Sequence, residues 1–232
     1  MAHLKEYILA VKALLRGGEG HYRGAAFSPH WPDHDFPPQV PVYVACSGPR
    51  VLAMASQVAD GLIMSMGYGE ENIRHIKGII VDSCAEVGRD PDELEVWWQT
   101  ALSFSSSMEE GMRTNLGVNT NWMTMGSMEG KLIPEEYRER LLQLTRDEHD
   151  FSATYHNTDR GTWTVRRAKE LGIYDWLVSR SAQLWGTPRD VSRRLGELAE
   201  MGVTNWLFYC GMAGIDKQDL VRKLTREVMP NF

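Results

Sequence analysis

The chain has 232 residues, 43% of them hydrophobic, and a formal net charge of −6. That is enough apolar material for a core, yet no apolar run approaches the ~20 residues a membrane helix needs, and the basic residues are too dispersed for a nucleic-acid footprint. The three cysteines, Cys46, Cys84 and Cys210, are odd in number and far apart, so they read as reduced core residues of a cytosolic protein rather than a disulfide framework.

The N-terminal stretch "MAHLKEYILAVKALLRGGEG" mixes Lys, Glu and Arg into its apolar positions, unlike a signal or transit peptide, and a cytoplasmic location is expected. Leu4, Ile8, Val11, Leu14 and Leu15 recur at helical spacing and predict a helix over 4–16, stopped by Gly17-Gly18. Residues 19–40, rich in Pro, His and aromatics, read as a loop. A strand is predicted at 41–46, then a helix at 49–59 with Pro49 in its first turn, where a missing N–H costs nothing. A second strand follows at 61–65 and a helix over about 70–87, closed by Gly88 and the Asp90-Pro91 turn. "LEVWWQTALSF", 94–104, is the third strand.

From 105 to about 187 the pattern loosens into polar loops and helices, among them 134–148 and 163–171. Thr187 and Pro188 then stand as N-cap and first residue of another helix. "VTNWLFYC", 203–210, is the fourth strand, and a last helix runs from Asp216 to about Val228. This alternation predicts an α/β fold with a parallel sheet and helices packed outside it. Runs such as "GLIMS" and "NWLFYC" carry apolar residues at every parity, as strands buried on both faces do.

In parallel α/β proteins chemistry gathers at the carboxyl ends of the strands. Here those ends are Cys46-Ser47-Gly48, Ser65-Met66-Gly67, Ser103 onwards and Cys210-Gly211, each with a Gly or Ser and none with a bulky charge. Ser47-Gly48 directly precedes a helix N-terminus, where unpaired N–H groups and the positive dipole end favour an anion. Small, donor-rich ends suit a phosphate better than an acid or base. The alternative is a plain strand-to-helix turn. Nucleotide-loop, metalloprotease and paired-cysteine motifs are absent. "HWPDHD", 30–35, holds two His and two Asp and reads as a polar loop rather than a metal site. The Met-rich "NWMTMGSMEG", 121–130, lines an apolar pocket or packs the excursion onto the sheet.

"PVYVACSGPRVLAMASQVADGLIMS", 41–65, closely resembles a strand–helix–strand segment of the bacterial luciferase-like superfamily of flavin-dependent monooxygenases and deazaflavin-dependent reductases and dehydrogenases. "LKEYILAVKALLRGGEGHYRGAAF", with Tyr22, Gly24 and Phe27, and "WGTPRDVSRRLGELAEMGVTNWLFYC" resemble flanking parts of the same family, and the likeness is weakest over about 105–165. The resemblance implies a TIM-barrel type of fold of which this chain, taken as one domain over 1–232, holds the second half, about four strands. It implies a flavin-dependent oxidoreductase or monooxygenase with hydride or oxygen chemistry at bound FMN. The alternatives are a deazaflavin-dependent reductase or dehydrogenase using an 8-hydroxy-5-deazaflavin coenzyme, and a non-catalytic half-barrel remnant or assembly subunit. A phosphosugar-type barrel enzyme is disfavoured by the long excursion.

Carried over by position, Cys46, Ser47, Gly48 and Pro49 form the turn at the cofactor. Ser65, Met66 and Gly67 touch its phosphate side, and Arg180 falls near a basic residue that deazaflavin members use for the phosphate. Tyr68 departs from a Lys found there in some deazaflavin enzymes. Catalytic residues lie in the family's earlier strands, so none is named. A small organic substrate is implied. The expected barrel-facing residues Val44, Ile63, Trp98 and Leu207 would lack partners in half a barrel, which implies a homo-oligomer, a separate first-half chain, or a fragment of a longer gene product.

Overall fold

The computed structural model describes residues 1–29, 40–147, 159–209 and 216–232. The "HWPDHD" stretch and Cys210-Gly211 lie outside these residues. In chain order the elements are α1 (Ala2–Leu15), β1 (Gly20–Tyr22), β2 (Ala25–Phe27), β3 (Tyr43–Cys46), α2 (Pro49–Val58), β4 (Gly61–Met64), α3 (Glu70–Ala85), β5 (Glu95–Ala101), β6 (Ser103–Phe104), α4 (Met108–Thr120), α5 (Glu135–Asp147), α6 (Asp159–Glu170), α7 (Tyr174–Arg180), β7 (Trp185–Gly186), α8 (Pro188–Glu200), β8 (Trp206–Tyr209) and α9 (Lys217–Lys223). They fall into two compact units, Met1–Met64 with His75–Trp97, and Ser65–Arg74 with Trp98–Phe232.

The first unit is built on a β3–α2–β4 crossover. The two strands are parallel, from Tyr43↔Gly61 to Cys46↔Met64, and α2 packs on them through Leu52, Met54 and Ala55. Cations close the helix's C-terminal end, where the dipole favours them. Arg89 Nη1 donates to the carbonyls of Ser56 and Ala59 at 3.1 and 2.7 Å, and Lys12 Nζ to that of Val58 at 2.7 Å. Asp60 ties the next turn down: it accepts from the Val42 N–H at 2.8 Å and pairs with Lys12 at 2.7 Å. Gly61 admits a close approach, because a Cβ there would stand 2.2 Å from the Tyr43 ring. Asp60 and Gly61 thus serve as a clamp and a packing contact.

The predicted loop over 19–40 begins instead as a β1–β2 hairpin, with Tyr22↔Ala25 as its last pair. Arg23 and Gly24 both have positive φ, 53° and 77°, the backbone of a two-residue hairpin turn. Three-residue strands carry too little periodicity to be read from sequence.

In the second unit β5 and β8 pair in parallel from Trp98↔Trp206 to Ala101↔Tyr209, and β6 pairs in parallel with β7, Ser103↔Trp185 and Phe104↔Gly186. The predicted strand 94–104 is therefore interrupted at Leu102, and the helical excursion contains a strand, β7. Both pieces of the second pair are two residues long. The fourth strand is shorter than predicted, and the last helix finishes in a π-helical turn, Leu224–Val228. The α8 cap is as expected: Thr187 Oγ1 accepts from the Asp190 N–H at 3.2 Å while the Asp190 carboxylate accepts from the Thr187 N–H at 3.0 Å.

Burial on both strand faces is partial among the described residues: the neighbours Gly61 and Leu62 in β4 and Thr100 and Ala101 in β5 are all buried, but other positions are not. In the first unit Val44 and Leu62 are buried while Ala45, on the opposite face, is exposed and its partner Ile63 half-buried; in the second, Trp98 is buried and Leu207, across from Gln99, is 42% exposed. Strand side chains alternate between faces. Val44 and Trp98 consequently belong to the buried faces, and only Ile63 and Leu207 of the four expected barrel-facing residues belong to the less covered ones. None of the described helices is long and apolar enough to cross a membrane, and among the described residues no acidic, His or Cys cluster is placed to hold a metal.

Candidate functional site

The Ser47–Pro49 turn lies in the first unit. Cys46, the last residue of β3, is 1% exposed and its thiol donates to the Val44 carbonyl at 3.5 Å. Burial pushes that thiol up to about 12, so at neutral pH it is a protonated core group and offers a ligand no side-chain contact. Ser47 and Gly48 are half-buried. Gly48 is the N-cap of α2, in extended backbone at φ −160° and ψ 154°, with Pro49 at the first helical position and no side chain capping the helix. The start of α2 therefore presents its positive dipole end with no cap from the side chain of its own N-cap residue.

The second unit brings Ser65–Gly67 and Arg180 together. The Tyr68 N–H donates to the Arg180 carbonyl at 2.9 Å. The Arg180 side chain, 11% exposed at the end of α7, donates to Asn72 Oδ1, to Glu71 Oε2 at 3.4 Å and to the Leu132 carbonyl at 3.3 Å. Asn72 Nδ2 in turn donates to the Met66 carbonyl at 3.2 Å. Arg180 thus holds the turn after β4 against the Lys131–Ile133 segment, a structural duty that sequence position alone does not reveal. Ser65 is half-buried, Met66 and Gly67 are buried, and Gly67 has φ +91°, a conformation favouring glycine.

Tyr68, at the departure from the family's Lys, turns inward. It is 4% exposed, its hydroxyl donates to the Gln99 carbonyl, and its ring stacks on Trp206 at 6.0 Å. Burial raises its hydroxyl pKa. The position therefore supplies no cation to a ligand. Its carbonyl accepts from Arg194 Nη2 at 3.2 Å.

Sequence reasoning did not single out Asn72, Lys131 or Leu132, and it named Trp122 only within the Met-rich run. Trp122 packs its ring edge on Gly67, where a Cβ would stand 2.8 Å from its Cζ2. Lys131, 3% exposed, donates to the carbonyls of Trp122 and Met125, each at 2.6 Å, and burial lowers its pKa. Leu132 has φ +54°, a strained backbone for a branched residue. The indole N–H groups of Trp122, Trp176 and Trp185 are buried and find no acceptor among the described residues.

Parallel strand pairs with helices between them define an α/β class of protein. The sequence profile of the family described as luciferase-like monooxygenase matches residues 1–205, and the chain belongs to that family. It is 21% identical over its full length to a 5,10-methylenetetrahydromethanopterin reductase of Archaeoglobus fulgidus, covering 67% of that protein. It is 24% identical to the Methanopyrus kandleri enzyme of the same name, over 83% of this chain and 51% of that one. An F420-dependent glucose-6-phosphate dehydrogenase of Mycobacterium leprae is 27% identical over 48% of this chain and 34% of its own length. The chain thus spans about a third to two thirds of these curated relatives. Among solved structures, the coenzyme F420 dependent tetrahydromethanopterin reductase from Methanopyrus kandleri superposes with a TM-score of 0.62 at 20% identity, over 99% of this chain and 62% of that one. A monooxygenase from Streptomyces bottropensis superposes at 0.57 and 15% identity, over 99% and 60%. These likenesses show the fold.

Proposed function

We propose that the chain is part of a deazaflavin-dependent reductase or dehydrogenase, binding coenzyme F420 at its strand-end turns and acting on a small organic molecule. The observation that carries this reading is that the family match is accompanied by curated relatives named as F420-dependent enzymes or as the reductase whose solved Methanopyrus form is so described. This favours the deazaflavin over the FMN that the broader family resemblance puts first. FMN monooxygenase chemistry stands as the second reading, for which the family's description as luciferase-like monooxygenase speaks.

The residues present suit a phosphate. Each unit offers such groups by itself: in the first, Ser47 carries a hydroxyl donor and the N-cap of α2 makes no side-chain cap; in the second, Ser65 carries a hydroxyl donor and Arg180 supplies a charge-assisted donor with a rigid fork. Cys46 and Met66 contribute through backbone only, since their side chains are buried. Bound F420 would supply the hydride chemistry. This chain would hold the phosphate and orient the ring, and Tyr68, with its hydroxyl committed to Gln99, takes no part.

Gly48→Val tests the reading. Valine readily adopts an extended backbone, so the fold survives, while its branched side chain blocks close approach to the turn. F420 affinity, followed by fluorescence, is expected to fall at least tenfold; unchanged affinity would remove the Ser47–Pro49 turn from the site.

A further inference from the structure

We infer that Glu71 is a specificity-determining residue of the phosphate site: its carboxylate occupies the edge of the Arg180 guanidinium that an anionic ligand takes, and a cofactor phosphate binds by displacing it. This deepens the reading above and rests on it. Three acceptors are shown for the Arg180 fork. Asn72 Oδ1 is fixed, because Asn72 is buried and its amide nitrogen is bonded to the Met66 carbonyl. The Leu132 carbonyl is main chain, next to the buried Lys131 whose ammonium is tied to Trp122 and Met125. Glu71 differs in kind from both. It is the anion of the three, its side chain is 65% exposed, and its Oε2 stands 3.4 Å from Nη2, well beyond the roughly 2.7–2.9 Å of a close charge-assisted bond.

An exposed partner at that distance marks the edge of Arg180 that water reaches, so an incoming anion meets a solvated carboxylate there rather than a packed wall. Gly69 adds no side chain beside the fork, where a Cβ would come within 3.7 Å of Nη1. The guanidinium itself is preset. Its carbon lies 5.8 Å from the centroid of the Trp176 ring, whose face attracts a cation, and Asn72 and Leu132 hold its donors. A long ion pair in contact with water is worth little, so exchanging it for another anion costs little. A phosphate can offer two oxygens to the fork, whereas Glu71 is shown reaching it with one. Specificity follows from the competition: Glu71 lowers the affinity of every anion at Arg180 and so retains only a ligand with further contacts at the turn. Glu70, one residue earlier, pairs with Arg74 at 2.6 Å instead and supplies a control of equal charge.

The test is the affinity of the whole 232-residue chain and its variants for F420, read by fluorescence, with inorganic phosphate as a competing probe. Glu71→Gln, a change at an exposed side chain that leaves the fold intact, should bind F420 about fivefold more tightly at low salt, the upper worth of an exposed ion pair. Inorganic phosphate should compete more strongly in that variant. The gain should vanish in about 1 M salt, where exposed charges are screened within roughly 3 Å. Glu70→Gln, which removes the same charge from the Arg74 pair, should leave the affinity unchanged, and Glu71→Gln should bring no gain in an Arg180→Ala background. Equal or weaker F420 binding by Glu71→Gln would overturn the inference and leave the F420 reading standing. An equal gain in Glu70→Gln, or a gain that survives Arg180→Ala, would overturn it as well, by assigning the effect to net charge. If neither the unaltered chain nor Glu71→Gln binds F420, the F420 reading and the inference fall together.

Discussion

Removing the Asp60 carboxylate should destabilise the protein without touching its ligand site. Asp60 is 26% exposed and its partner Lys12 14% exposed, with Lys12 Nζ 2.7 Å away, Arg16 at 3.7 Å and the Val42 N–H at 2.8 Å. Burial by itself would push the carboxyl up, but hydrogen bonds from Lys12 and Val42 and the charges of Lys12 and Arg16 outweigh it and hold the group below the usual carboxylate range. A hydrogen bond to a charged group contributes about 1.5–3 kcal/mol, and an exposed ion pair roughly 0–1 kcal/mol. Because water reaches a quarter of this carboxylate, Asp60→Ala should cost about 2 kcal/mol, which for a chain of this size lowers Tm by about 4–8 °C. Asp60→Asn keeps an acceptor for Val42 and should cost less.

The pH dependence follows from the depressed pKa. The contribution is complete above the unfolded carboxylate pKa, about 3.9, and is lost as pH falls through the lower folded value. The Tm difference between the unaltered chain and Asp60→Ala should therefore be constant at neutral pH and close in strong acid. Scanning calorimetry across pH measures it. A Tm difference below about 1 °C at neutral pH, or one that widens in acid, would refute the clamp.

Thr187→Ala removes the α8 capping box and should cost about 1 kcal/mol in denaturant melts; no change in midpoint would contradict the cap geometry. Cys46, with its thiol pushed up to about 12, should resist iodoacetamide at pH 8 in the native protein and react once it is denatured, as read by intact mass. Arg180→Ala should loosen the turn after β4 as well as weaken F420 binding, because Asn72 Oδ1 and the Leu132 carbonyl lose their donor. Hydrogen exchange at Ser65–Gly69 that matches the unaltered chain would show that Arg180 does not hold the turn.

Long elements were legible in the sequence because their signals are redundant. The helical spacing of Leu4 to Leu15, the strand–Pro49 helix–strand run and the Thr187-Pro188 start each combine periodicity with a boundary residue, and α1, α2 and α8 follow them. The β1–β2 hairpin and the β6–β7 pair escaped because two or three residues cannot show a period of two. The four expected barrel-facing residues cannot share one face, because Val44 pairs with Leu62 rather than Ile63 and Trp98 with Trp206 rather than Leu207; runs that are apolar at every parity do not say which face is which. At the site, Gly67 and Ser65 were legible as small residues at a strand end. The contacts of Arg180 with Asn72 and Leu132 were not, since they join residues 108 and 48 positions apart in the chain. Trp122 left a trace, as an aromatic in a Met-rich run, that composition could flag and only packing against Gly67 could place.

The most direct test of the central claim is equilibrium binding of F420 and of FMN to the purified 232-residue chain, followed by the absorbance and fluorescence of each chromophore. The account predicts saturable, stoichiometric binding of F420, tighter than that of FMN and weakened in Gly48→Val. Binding of FMN in preference to F420, or of neither, would contradict it.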